Sequence, residues 1–332
     1  MNRRFFLRSG SASLAAAALA ACGGGGGGAT EADLRGPLDA ALPEAAIAPV
    51  PVAAPVGPSS ALPEKVLGTY YTTWDTGRYK ITDVPAEFNL IFLFHAKPDG
   101  KPNGKNWNNV GNGAFYFEHY NDIPAESIQV CRRRGQKVIL TVGGAHAGFA
   151  WDNRTKSQNF VESFKVMYAR LGGVDGVDFN NYEASILNGR NVAAVTAEMI
   201  WIAGELKATY GRDFAVLSPP QPSSVEQQSL MAAMAKAGVL DAAGPQHYDW
   251  DGFNAPGYIK GRIDLWTDLI GADKTIVGLS ANYDQGPSLD DCIREWNAIQ
   301  VAHPNIRGMF CWSAQHAMAG GNAWGKAMKK RM

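Results

Sequence analysis

Neither sign of charge is in excess in this 332-residue chain, which carries 31 Lys plus Arg against 31 Asp plus Glu. A protein that neutralises phosphates needs a basic surplus, so this balance excludes a nucleic-acid binder and a binder of anionic membrane surfaces. Cysteine is scarce too. Four residues of this type are far too few for a disulfide-built scaffold, so a core must come from apolar burial, for which 46% hydrophobic residues suffice. Large apolar side chains are too few from Gly23 to Pro63 to build a core; the segment opens on six glycines and continues rich in Ala and Pro. Such composition cannot offset its ordering entropy, so residues 22–63 are expected to form a disordered tether.

Residues 1–21 have the pattern of an export signal. Arg3, Arg4 and Arg8 supply a positive start, and the Ala/Leu stretch up to Ala21 is apolar but too short to span a bilayer. Asn2-Arg3-Arg4-Phe5-Phe6-Leu7-Arg8 resembles the twin-arginine motif, and Leu19-Ala20-Ala21-Cys22 resembles a bacterial lipobox. The resemblance implies lipidation at Cys22 and a membrane-anchored lipoprotein, periplasmic or at the cell surface. A cleaved export peptide with an incidental Cys22 is the plainer alternative. Cys131, Cys292 and Cys311 cannot all pair with one another, so at least one stays free; burial as a structural residue is the expectation for each.

From residue 64 to 332, short apolar runs rich in β-branched residues alternate with helical periods. The runs are Lys65 to Trp74, Phe88 to His95, Lys137 to Val142, Val174 to Asn181, Phe214 to Ser218, Leu240 to Tyr248, Thr275 to Ser280 and Ile306 to Ser313. Between them, Phe160/Phe164/Met167/Leu171 and Val195/Met199/Ile202/Leu206 step by three and four, the spacing of one buried helical face. Runs apolar on both faces belong in a parallel sheet covered by helices, and eight such units predict a single-domain α/β fold, the (β/α)8 TIM barrel.

Active sites of this architecture sit at the carboxyl ends of the strands. Those positions hold Tyr71, Trp74, Phe94, His95, Gly144, Asp178 to Glu183, Gln246 to Asp249, Asn282 to Asp284 and Trp312. Rings interleaved with amides and few charges suit a sugar, whose CH faces stack and whose hydroxyls hydrogen-bond. The long segment from Ala96 to Pro124, with Trp107, Phe115, Tyr116, Phe117 and Tyr120, is expected to wall the cleft. His95, His146, His247 and His316 fall near strand ends, but none is paired at a two-ligand spacing, so no metal and no cofactor is expected.

These residues resemble the family 18 glycoside hydrolases, the chitinase and endo-β-N-acetylglucosaminidase type. Asp175-Gly176-Val177-Asp178-Phe179-Asn180-Asn181-Tyr182-Glu183 is similar to the strand-four signature D-G-x-D-x-D-x-E, and Lys137 to Gly144 to the strand-three motif ending in S-x-G-G. Gln246-His247-Tyr248 matches the Q-x-Y of strand six, and Trp312 the tryptophan that closes strand eight. The resemblance implies substrate-assisted hydrolysis: a Glu protonates the leaving oxygen while the substrate's own 2-acetamido carbonyl attacks the anomeric carbon. It gives Tyr248 the acetamide hydrogen bond and Trp312 the floor of the sugar subsite. Tyr71, Trp74, Gly144, Gln246, Asp249 and Asn180 are the further substrate-binding candidates.

The strand-four motif is divergent, and two registers are open. Counted rigidly, Asn180 takes the place of the orienting Asp, Tyr182 takes that of the acid, and Glu183 faces the helices. With one extra residue after Asp178, absorbed as a bulge or by the strand ending early, Asn181 and Glu183 face inward instead, and Asn181-Tyr182-Glu183 resembles the N-x-E pair of family 85 endo-β-N-acetylglucosaminidases. In that register Glu183 is the acid, Asn181 orients the acetamide, and Asp178 is a like-charge neighbour or a structural acceptor. The expected function is hydrolysis of β-linked N-acetylhexosamine glycans; the alternative is a catalytically inactive, lectin-like barrel. The expected partner is an oligo- or polysaccharide bearing 2-acetamido groups, with membrane contact through the N-terminal lipid alone and no nucleic acid.

Overall fold

The computed structural model describes residues 62–181, 186–249 and 252–332. The chain divides into residues 1–50 and 51–332, and all described residues belong to the second unit. The expected leader, tether and Cys22 lie outside them.

In chain order the elements are β1 (Val66–Thr72), β2 (Leu90–Pro98), β3 (Phe115–Tyr116), α1 (Ala125–Arg133), β4 (Lys137–Gly143), α2 (Arg154–Arg170), β5 (Gly176–Asn180) and α3 (Val192–Tyr210). They continue with β6 (Ala215–Ser218), α4 (Val225–Lys236), β7 (Ala242–Ala243), α5 (Tyr258–Ile270), β8 (Ile276–Ser280), α6 (Leu289–Ala302), β9 (Gly308–Trp312), α7 (Ala314–Ala319) and α8 (Ala323–Lys329). The sheet runs β7-β6-β5-β4-β2-β1-β9-β8, all parallel, with short β3 attached antiparallel to β2. Parallel bridges Ala243 to Thr275 and Gln246 to Gly278 join the two ends of that order. The result is the (β/α)8 barrel, with each apolar run of the sequence supplying one stave.

Two layers of burial follow from strand alternation. Val138, Leu140, Val177 and Phe179 face outward and pack with the helices' Phe160, Phe164, Met199 and Ile202. Tyr70, Phe92, Phe94, Ile139, Leu217 and Phe310 face inward and fill the barrel. The interior is aromatic: Tyr70 stacks on Phe92 at 4.6 Å and meets Phe310 edge-on at 5.2 Å. Phe310 needs glycine opposite it, because a Cβ on Gly244 or Gly278 would come within 2.5 or 2.6 Å of its ring. Side chains cap the helices where the sequence offers them: Asn153, Asn191, Ser224 and Ser288 each accept a backbone N–H of the first turn.

The segment between β2 and α1 takes a different place from the one expected. Phe115 and Phe117 are buried in the outer shell, and none of the described residues that line the cavity at the strand ends comes from this segment. It fastens the β4–α2 connection instead: Asn108 and Asn109 accept the backbone N–H groups of Gly148 and Ala150, and Trp151 Nε1 donates to the Gly113 carbonyl at 2.9 Å. Its rings are used for packing because apolar rings with a covered face nearby gain more from burial than from standing in water. All three described cysteines are free and buried. Among the described residues no helix is long and apolar enough to cross a membrane.

Candidate functional site

A cavity of about 320 Å³ opens at the carboxyl ends of the strands. Trp74 after β1, Phe94 and His95 of β2, Ala145 after β4, and Asn180 of β5 line one side. Gln246, Tyr248 and Asp249 after β7, Tyr283 after β8, and Trp312 of β9 line the other. Trp312 forms the floor, 6.2 Å from Tyr248 in a near-parallel stack and 5.1 Å from Phe94 edge-on. Trp74 stands at the mouth, 60% exposed and 6.2 Å from Trp312. Such an exposed indole beside a ring-lined floor offers flat apolar faces at two depths.

The polar groups are few and held in place. Gln246 Nε2 donates to the Pro219 carbonyl at 2.6 Å and, at the limit of hydrogen-bond distance, 3.5 Å, to Asn180 Oδ1. Asn180 is 3% exposed, and its NH2 group has no acceptor among the described residues. Asp249, in a left-handed conformation at φ 67°, accepts the Tyr283 hydroxyl at 2.5 Å. Burial and this neighbouring carboxylate push the Tyr283 phenol up to about 12. The lining includes no Lys or Arg, and Asp249 is its one carboxylate among the described residues. A second cavity of about 320 Å³ shares Asp249 and is lined also by Phe253, Asn254, Asp284 and Gln285.

Beneath the cleft, Asp178 is wholly enclosed in the barrel. Its Oδ2 accepts the Tyr70 hydroxyl and the Thr141 hydroxyl, each at 2.9 Å, while Oδ1 has no partner among the described residues. Burial raises its pKa to about 7, and the two donors hold it from rising further. Asp175, the first residue of the signature, does structural work at the opposite end of the strand, accepting from Arg132 at 3.1 Å and from the Val138 N–H at 2.9 Å.

The structure thus gathers Trp74, Asn180, Gln246, Tyr248, Asp249 and Trp312 around one cavity, with Asp178 below. Two candidates lie elsewhere. Tyr71 faces the helix layer, its hydroxyl donating to the Tyr79 carbonyl at 2.7 Å, because the adjacent Tyr70 takes the inward phase. Asn181 is 1% exposed and turned away from the cleft: its Oδ1 accepts the Phe149 N–H at 3.1 Å and its Nδ2 donates to the Phe149 carbonyl. The strand pairs with β4 without a register shift from Asp178 to Asn180 and ends there, so no bulge lies between those residues, and among the described residues the asparagine lining the cleft is Asn180. Glu183 and Tyr182 lie outside the described residues. Gly144 meets the site through its missing side chain, since a Cβ there would come within 2.5 Å of Phe94 and 2.9 Å of His95.

His95 and Tyr283 complete the lining although no motif marks them; their place at strand ends is the sequence signal that finds them. The His95 Nδ1 bonds to the Gly143 carbonyl, its ring stacks on Phe94 at 4.2 Å, and burial pushes its pKa down to about 4. Of the other histidines, His247 is fully buried against the Gly278 carbonyl at 3.0 Å, and His316 stacks on Tyr283. Among the described residues no group of three potential ligands is placed to hold a metal ion.

No family model matches the chain. It is 24% identical over 169 residues to chitinase Chi52 of Paenibacillus xylanexedens, a match covering 47% of this chain and 30% of that protein. The chain therefore spans less than a third of that relative. Its fold is similar to that of a family GH18 chitinase from Chromobacterium violaceum, with a TM-score of 0.66 at 17% identity over 81% of this chain and 84% of the other. It is similar also to YKL-39, solved in the presence of chitooligosaccharides, with a TM-score of 0.61 at 10% identity over 80% of this chain and 98% of the other. The architecture is that of the family 18 chitinases and chitinase-like proteins.

Proposed function

We propose that this protein is a chitinase-type glycoside hydrolase acting on β-linked N-acetylhexosamine glycans. The observation that carries the proposal is the cleft itself: an indole floor with a second indole at the mouth, amides at Asn180 and Gln246, and no cation in the lining. Stacking rings hold the CH faces of the sugars, and amides match the 2-acetamido group, which has one donor and one acceptor. Chitooligosaccharide in the YKL-39 structure and the chitinase names of the other similar proteins support this ligand class. Cleavage is assigned to Glu183 as general acid, with the substrate's acetamido carbonyl as nucleophile. Of the two asparagines, the role of meeting the acetamide is assigned to Asn180, and its place in the cavity lining supports that reading. On the sequence's twin-arginine signal and Cys22, the same proposal makes the protein an exported lipoprotein.

A second reading is favoured by one observation: the inward position of the signature carries an amide, Asn180, in place of a carboxylate. An amide cannot balance the charge of an oxazolinium-like intermediate, so a receptor that binds and does not cleave fits the same cleft. New reducing ends released from N-acetylglucosamine oligomers decide between the two. Turnover abolished in Glu183→Gln with binding retained is the expected outcome; binding without turnover in the unaltered protein establishes the receptor. Turnover that vanishes with chelator would replace both with a metal-dependent reaction.

A further inference from the structure

We propose that His95 is a specificity-determining residue of this cleft, presenting its Nε2 as a hydrogen-bond acceptor to an N–H or O–H of the bound glycan. The assignment rests on the glycan reading above and adds to it the group that receives a donor from the sugar.

The argument begins with the tautomer. His95 Nδ1 bonds to the carbonyl oxygen of Gly143, and a carbonyl only accepts, so Nδ1 carries the proton. In a neutral ring the other nitrogen then has a lone pair and no hydrogen. The ring is neutral in the ordinary pH range, since burial disfavours the imidazolium. The residue is 8% exposed, and its Nε2 has no hydrogen-bond partner among the described residues. That nitrogen is not among the buried atoms left without a partner, so it stays open at the cavity, where a ligand donor takes the place of water.

The surroundings hold the ring in that pose. Phe94 stacks on it at 4.2 Å and Trp74 meets it edge-on at 6.2 Å, at the mouth of the cavity that His95 lines. On the far side only glycine fits, because a Cβ on Gly144 would stand 2.9 Å from Nδ1. The cleft thus pairs an unpartnered donor, the Asn180 NH2 group, with an unpartnered acceptor, His95 Nε2.

The test uses the whole protein labelled with 15N-histidine and tetra-N-acetylchitotetraose as probe. The His95 Nε2 resonance is expected in the unprotonated range in the free protein and is expected to shift when the oligomer saturates the cleft. A companion oligomer carrying N-methylacetamido groups, in which a methyl group replaces the amide hydrogen, tells the amide donor from a hydroxyl donor through the Nε2 resonance: a shift that persists in its saturated complex comes from a hydroxyl. His95→Phe, which keeps a ring against Phe94, is expected to bind the oligomer about tenfold more weakly, the loss of one hydrogen bond. Calorimetric binding with an Nε2 resonance that stays still, or a protonated Nε2 in the free protein, overturns the assignment and leaves the glycan reading standing. No heat of binding for the oligomer overturns both.

Discussion

Asp178 shows how a single side chain ties stability to pH. Its pKa lies near 7 in the fold against an ordinary carboxylate value, because the barrel strips it of water and two hydroxyl donors only partly compensate. A folded-state pKa raised above the unfolded one means that the folded protein holds the proton longer. Stability from this group is full below about pH 4 and is lost as pH rises toward 7. His95 and His247, both held down to about 4, act in the opposite sense over the same window. The contribution of Asp178 therefore emerges as a difference: wild type is expected to lose stability relative to Asp178→Asn between about pH 4 and 7, by a few kcal/mol. Denaturant melts of both proteins at several pH values measure it, and parallel curves would refute the burial argument. The signature Asp was visible in the sequence, but the phase of its neighbours was not. Whether Asn180 or Asn181 enters the cleft depends on where β5 ends and on the Phe149 backbone, 32 residues earlier in the chain, which claims the Asn181 amide.

At the scale of elements, the strand ends do the positioning. The β4 terminus turns through Gly143 and Gly144, with φ of 90° and 116°, so that the Gly143 carbonyl reaches His95 and the Gly144 N–H reaches the Asn180 carbonyl at 2.5 Å. Those dihedrals lie in the region that favours glycine. Gly144→Ala is expected to fold less stably by about 1–3 kcal/mol and to lose oligomer binding, since the added methyl group displaces Phe94 and His95 together. Thermal melts and calorimetry check the two effects separately. By contrast Asn181→Ala breaks the tie to Phe149 outside the cleft. It is expected to cost about 1–3 kcal/mol of stability from the unsatisfied backbone groups while leaving the cleft residues in place. Affinity for the oligomer measured below the melting temperature distinguishes the brace from a ligand contact. The β2–α1 segment carries the same lesson: its rings were legible as aromatic, but which surface they cover was set by the β4–α2 connection they fasten.

The whole molecule is neutral and no Lys or Arg lines its cleft among the described residues, so binding of the proposed neutral glycan should owe little to long-range electrostatics. Affinity for tetra-N-acetylchitotetraose is expected to change less than about twofold between low salt and several times physiological ionic strength. A steep salt dependence would point to an anionic ligand instead. The sequence by itself determined the barrel, because eight apolar runs at regular spacing with buried helical faces between them admit few other arrangements. It also determined the end of the barrel at which Trp312, Gln246, Tyr248 and Asn180 meet. Only the tertiary structure decided which face each neighbouring pair presents, Tyr70 rather than Tyr71 and Asn180 rather than Asn181, and that the His95 ring is tied through Nδ1 to the Gly143 carbonyl. Strand periodicity gives alternation without its origin, and that origin comes from contacts between residues distant in the chain: the Tyr70 hydroxyl on Asp178, the Asn181 amide on Phe149, and the His95 ring on the Gly143 carbonyl.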